Sequence, residues 1–211
     1  MSRSVTSRNP ERAERAERIK SATGNKDMKY KHIPQKPYCC VPACAQMILR
    51  RRGLSAPSQE DIAYDLGIIL PPEHRNLLPR SHKGKRPKSG WGTRINLKRY
   101  SLAEFFKRRG YALREKYYSA KHFQSVEKFW RFLEHNLKIR NDQLICFNSP
   151  MLYHVNGSWG HASLIEKVNE KYVTLRDPNA KYKLSRKVAL HDLFVSTINH
   201  YKGGVWVISK I

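Results

Sequence analysis

Apolar residues follow a helical period through the earlier part of the chain and give way to short apolar runs towards its end. From Cys40, the sequence CVPACAQMILRR sets Val41, Cys44, Ala45 and Ile48 on one helical face. Pro42 falls in the first turn, where a missing N–H costs nothing, and Gly53 supplies a stop. The preceding KHIPQKPY is extended, because Pro34 and Pro37 bias the residue before each away from helix. SQEDIAYDLGI predicts a second short helix, opened by a Ser/Gln/Glu/Asp capping signature. SLAEFFKRRG predicts a compact amphipathic helix ending at Gly110, and VEKFWRFLEHNL another. The apolar residues of the latter, Phe129, Trp130, Phe132 and Leu133, are expected to pack in a core. QLICFN fits a buried strand, HASLIEKV and KYVTLRDP flank the turn-like NE, and GGVWVIS reads as a closing strand. No internal repeat is present. Helices first and antiparallel strands later predict an α+β domain.

The length of 211 residues suits one domain with a tail. Residues 1–30 are expected to form a basic, disordered or weakly helical tail, and residues 31–211 the folded domain. Residues 71–92, PPEHRNLLPRSHKGKRPKSGWG, lack an apolar period and are rich in Pro, Gly and Lys/Arg, which predicts a long basic loop.

Charge changes the picture of partners. Lys+Arg number 41 against 17 Asp+Glu, a net +24. From Glu73 to Lys116 there are 14 Lys/Arg and only 2 acidic residues after Glu73. Such a strip attracts a polyanion or acidic partner through the segment 75–99, or is simply a solvated loop. A basic nucleic-acid-binding protein without catalysis is therefore one reading, although no zinc-finger, RNA-recognition or helix-turn-helix signature accompanies the charge. No apolar run approaches the ~18–20 residues of a transmembrane helix, and the N-terminus lacks the apolar centre of a secretory signal. Cysteines at 39, 40, 44 and 146 do not form a secreted disulfide framework, so a cytoplasmic setting is expected.

Three of the 4 cysteines lie within QKPYCCVPACAQMIL. They bind a metal, supply a nucleophile or fill a core. A zinc site would combine Cys39 or Cys40 with Cys44 and a histidine, but no second metal-like pair exists. A thiolate is a strong nucleophile, favoured by a helix N-terminus and a nearby histidine. Cys40 is placed for the first. Of the 9 histidines, His161 is the best placed for the second. It opens a predicted hairpin whose turn centres on Asn169. That register sets His161 opposite Asp177, Ser163 opposite Leu175 and Ile165 opposite Val173, with His161, Ile165, Val173, Leu175 and Asp177 on one face. A carboxylate beside an imidazole fixes its tautomer and stabilises the imidazolium.

QKPYCCVPAC together with GHASLIEKVNEKYVTLRDP resembles the papain-like cysteine peptidases that process double-glycine bacteriocin leaders. In that family a glutamine precedes a Cys-Gly-(Pro/Val)-Ala-(Cys/Ala) helix start, and a histidine opens a strand sixteen residues before an Asp-Pro. His161 and Asp177 reproduce the interval, and Pro178 follows. GWGTRINLKRYSLAEFFKRRGY and HDLFVSTINHYKGGVWVIS are similar to the family's central and closing segments, so the resemblance spans about residues 33–209. It implies a papain-like fold, with Cys40 as nucleophile, His161 as general base and acid, Asp177 as its orienter, and Gln35 as oxyanion donor with the Cys40 backbone N–H. It implies hydrolysis of a peptide or isopeptide bond in a peptide or protein substrate, with no cofactor and no metal. Val41 replaces the family's glycine after the nucleophile. Gln35 stands five residues before Cys40, where the family more often leaves six. The family's processing members are usually fused to a transporter with membrane helices, and standalone relatives are the closer comparison. The same site would serve a papain-like acyltransferase or deamidase, because an acyl-thioester passes to an amine as well as to water.

Overall fold

The computed structural model describes residues 29–82, 91–181 and 185–211. Nearly all of the expected tail, and residues 83–90 of the basic loop, lie outside them. Strands β1 (Leu113–Ser119), β2 (Asp142–Asn148), β3 (Gly160–Val168), β4 (Tyr172–Arg176), β5 (Arg186–Ala189) and β6 (Gly204–Lys210) form one sheet in the order β1-β6-β2-β3-β4-β5. Every neighbouring pair is antiparallel.

The sheet is buried on both faces, which is why its central strands read as continuous apolar runs. Leu144, Ala162, Leu164, Trp206 and Ile208 face one core, built with helices α1 (Cys40–Arg51), α2 (Gln59–Asp65) and α3 (Leu102–Arg108). Their alternate neighbours Ile145, Phe147, Ile165, Val205 and Val207 face a second core, with α4 (Val126–Lys138), α5 (Ser149–Tyr153) and α6 (Leu190–Ile198). Phe129 and Leu133 are buried in the second core and Trp130 and Phe132 pack against it, as their spacing predicts. Helix α1 differs from an amphipathic helix: every residue from Val41 to Leu49 is buried. No helix among the described residues is long and apolar enough to cross a membrane.

The structure departs from the pattern expected of the sequence in several places. Tyr30, assigned to the tail, is 5% exposed, because its hydroxyl donates to the buried carboxylate of Asp142 at 2.5 Å. The described part of the basic loop is not irregular. It carries 3-10 turns at Pro72–Leu77 and Pro79–His82. Leu78 is buried with Cys39, Ala63, Ile68 and Leu70, and the ends of the loop are joined by Ile69 and Gly92, which exchange both backbone bonds at 3.1 and 2.9 Å. Strand β1 precedes α4, so the helices do not all come first. As an edge strand with a charged Arg114-Glu115-Lys116 run, it offers no apolar alternation to read.

The β3–β4 register also differs. Leu164 pairs with Arg176 and Ile165 with Leu175, then a bulge intervenes, and Lys167 pairs with Thr174 and Val168 with Val173. The turn runs from Asn169 to Tyr172, closed by Tyr172 O accepting from Asn169 N–H at 2.9 Å. The bulged residue, Glu166, accepts from Arg176 Nε at 2.9 Å and from the Ser185 hydroxyl. The longer turn and the bulge shift the pairing near His161 by two residues from the sequence reading. An even shift preserves faces, so Ile165, Val173 and Leu175 still share one core.

Candidate active site

The segment ahead of α1 ends in a tight turn. Cys39 N–H donates to Lys36 O at 2.9 Å, and Tyr38 adopts a left-handed φ of 62°. A bulky residue there is uncommon. The Tyr38 hydroxyl is hydrogen-bonded to His74 Nδ1, and the two rings pack with centroids 5.5 Å apart. The turn sends the two adjacent thiols in different directions. Cys39 is wholly buried, whereas Cys40, the first residue of α1, is partly exposed. Helix position leaves the first backbone N–H groups of α1 without intrahelical partners. Val41 is 3% exposed and belongs to the main core, so its β-branched side chain does not line the surface beside Cys40.

His161 lies near the start of β3 and Asp177 just past the end of β4. Extending the observed register puts residue 179 opposite His161, which makes Asp177 its diagonal neighbour. The contact predicted from sequence nonetheless forms: His161 Nε2 is 2.7 Å from Asp177 Oδ1. Cys40 lies near enough for its charge to act on the imidazole. Since Nε2 is engaged by Asp177, Nδ1 is the nitrogen left for the thiol. The Phe147 ring packs edge-on against the imidazole at 5.7 Å and 82°. Burial opposes the imidazolium, but the hydrogen bond to Asp177 and the nearby Cys40 and Asp177 charges outweigh it, raising the pKa from 6.5 to about 10.

Asp177 is fully buried. Burial opposes its charge, and the bonds from His161, the Asn179 N–H (2.8 Å) and the Tyr153 hydroxyl (2.9 Å) overcome that, holding the carboxyl below its ordinary value. Tyr153 was not indicated by the sequence, because its short helix α5 follows β2 without a periodic pattern. The Arg186 guanidinium covers its ring at 3.8 Å. Gly160 is a second unforeseen participant: a Cβ there would collide with the His200 ring, so glycine lets that histidine pack directly beside the residue preceding His161.

Gln35 is brought to the same place from the other end of the chain. Its N–H donates to Pro178 O at 2.8 Å, tying it to the residue after Asp177. Its side-chain Oε1 is buried without a hydrogen-bond partner. The structure thus gathers Gln35, Cys40, His161 and Asp177 into one region.

The other thiols have different surroundings. Burial pushes the Cys39 thiol up to about 12 and raises those of Cys44 and Cys146 well above the ordinary range. Cys44 is a core residue whose Sγ–H points to Ala162 O at 3.6 Å. Among the described residues no three His, Cys, Asp or Glu side chains are grouped to hold a metal ion.

The raised His161 pKa has a consequence for stability. A histidine whose folded pKa exceeds its unfolded value stabilises the fold fully below the unfolded value and loses that contribution as pH rises through the folded one. The stability difference between wild type and His161→Ala is therefore expected to shrink between pH 6.5 and about 10. Urea denaturation of both proteins across that range checks it. A difference that stays constant or grows with pH would contradict the assigned shift.

The architecture has a counterpart among solved structures. A crystal structure from Bacillus anthracis, assigned as a C39-like peptidase, matches with a TM-score of 0.56 at 13% identity, over 87% of this chain and 96% of that one. The chain thus has the fold of a C39-like peptidase. No protein-family model and no curated protein matches it.

Proposed function

We propose that the protein is a cysteine peptidase that hydrolyses a peptide or isopeptide bond through Cys40, His161 and Asp177. The single observation that supports this most is the imidazole of His161, held by Asp177 at 2.7 Å and within electrostatic reach of Cys40, a partly exposed thiol at a helix start. The fold of a C39-like peptidase supports it independently. In this reading the Cys40 proton passes to His161, the thiolate attacks the carbonyl carbon, and a tetrahedral oxyanion forms. The Cys40 backbone N–H and the Gln35 amide stabilise that oxyanion. His161 gives its proton to the leaving amine, leaving a thioester. Water, deprotonated by His161, then releases the acid and restores the thiol. No cofactor enters the scheme. A papain-like acyltransferase or deamidase would share every step up to the thioester.

The experiment is labelling with a peptidyl acyloxymethyl ketone, followed by peptide mapping. Modification of Cys40 that depends on His161 is expected. Modification of Cys39 instead would overturn the assignment.

Asp177→Asn keeps the size of the side chain and removes the charge that favours the imidazolium. The equivalent change costs ~10⁴-fold in a serine-protease triad. A thiol is already the more acidic nucleophile, so a loss of ~10- to 10³-fold in acylation rate is expected here. Wild-type turnover in Asp177→Asn would reduce Asp177 to a turn residue.

The four unpaired thiols support a reducing, cytoplasmic setting. The basic segment 75–99 is proposed to dock a polyanion or acidic partner. Arg94 is 4% exposed and takes no part in that surface, and Arg80 is ion-paired to Asp61. Charge neutralisation at Arg75, Lys98 and Arg99 should weaken heparin binding and flatten its salt dependence while leaving acylation of a small neutral ester unchanged. Unaltered heparin affinity would remove the proposal.

A further inference from the structure

One side chain grips the backbone on both sides of Gln35. Gln59 Nε2–H donates to Pro34 O at 2.9 Å, and Gln59 Oε1 accepts from Lys36 N–H at 2.7 Å. Gln35's own N–H is taken by Pro178 O at 2.8 Å. Three successive residues are thereby fixed, two by α2 and one by the end of the sheet. Gln59 is 7% exposed and opens α2, whose start is secured by Ser58 Oγ accepting from Asp61 N–H at 3.1 Å.

The segment 34–38 needs such a clamp. It contains Pro34 and Pro37, belongs to no helix or strand, and so has no ladder of its own. A primary amide suits the task because it presents a donor and an acceptor in one plane. Glutamate would lack the donor for Pro34 O, and leucine would lack both groups.

We propose that Gln59 is a positioning residue that aims the Gln35 side chain at the oxyanion formed when Cys40 attacks a carbonyl. The inference rests on the reading of Gln35 as an oxyanion donor. Gln59 touches neither substrate nor Cys40 in this scheme and acts through the backbone of residues 34–36. A misplacement of about 1 Å in such a site costs about 10²-fold, similar to removing one donor outright.

Two reactions of the same thiol separate positioning from damage to the fold. Acylation by p-nitrophenyl acetate passes through a tetrahedral oxyanion. Alkylation by iodoacetamide is a direct displacement at carbon and forms none. Gln59→Glu and Gln59→Leu should lower the single-turnover acylation rate by about 10- to 10²-fold and leave alkylation of Cys40 at its wild-type rate. Gln35→Ala should behave in the same way, and adding Gln59→Glu to it should cause little further loss, as for two residues acting on one interaction.

Gln59→Glu keeps the volume and the bond from Lys36, and so guards against a failure of the leucine variant to fold. A wild-type acylation rate in Gln59→Glu beside a slow Gln35→Ala would overturn the clamp alone. Parallel loss of acylation and alkylation in both Gln59 variants, or fully additive losses in the double variant, would also overturn it. A wild-type rate in Gln35→Ala would overturn the oxyanion reading and the clamp with it.

Discussion

Cys40→Ala and His161→Ala are each expected to eliminate measurable acyl transfer, whereas Cys39→Ala should retain it. In the proposed mechanism the nucleophile and its base act as a unit, and deleting one member of such a unit in a related chemistry removes about as much rate as deleting all, on the order of 10⁶-fold. The two adjacent cysteines provide an internal control. Cys39 is wholly buried with a thiol pushed up to about 12, chiefly by burial, so it cannot replace its neighbour without rebuilding the turn at Tyr38. Thioester formation should be followed by intact-protein mass spectrometry after a pulse of p-nitrophenyl acetate. An acetyl adduct on Cys40→Ala, mapped to Cys39, would show that the chemistry resides one residue earlier. Retained turnover in His161→Ala would show that the thiol is activated by some other group.

Asp142→Ala is expected to cause the largest loss of stability available from one polar side chain. The carboxylate is fully buried. It accepts from the Tyr30 hydroxyl at 2.5 Å and is ion-paired to Arg51 and Arg52, each also at 2.5 Å. Arg52 donates a further bond to Ile208 O at 2.9 Å. Truncation leaves two guanidinium groups beside one another without the charge that balanced them, and the Tyr30 hydroxyl without its acceptor. Breaking a buried pair in this way costs about 3–5 kcal/mol. Asp142→Asn keeps some of the hydrogen bonding and should fall between wild type and alanine. Equilibrium urea unfolding measures both, and a loss under about 1 kcal/mol for Asp142→Ala would place the network in the class of screened surface pairs.

The parts of this fold that were legible in the sequence are those set by local pattern. The start of α1 at Cys40 follows from two prolines and an apolar run, and the cap expected at Ser58 does bond the helix start after it. The meeting of His161 and Asp177 was readable because both lie on one hairpin, where alternation alone decides the face. Even there the register was wrong by two residues, since nothing in the sequence marks Glu166 as a bulge. Longer-range features left no such trace. The contact of Gln59 with residues 34 and 36 depends on how α2 docks, and Tyr153 reaches Asp177 only once α5 has packed. The burial of Tyr30 depends on Asp142, far away in the chain. None of these pairs shares an element, so no periodicity connects them.

The strand order implies a timetable. Of the six described strands, β6 is the last to leave the ribosome, yet it takes a place inside the sheet, between β1 and β2. The hairpin bearing His161 and Asp177 and the helix bearing Cys40 are all synthesised earlier. Until β6 inserts, β1 has no partner, and α1 lacks Trp206 and Ile208 from the floor on which it rests. A nascent chain would therefore hold Cys40, His161 and Asp177 before it had the support that fixes them. Insertion of a central strand made after them is thus the step that joins β1 to the sheet and completes the floor under Cys40.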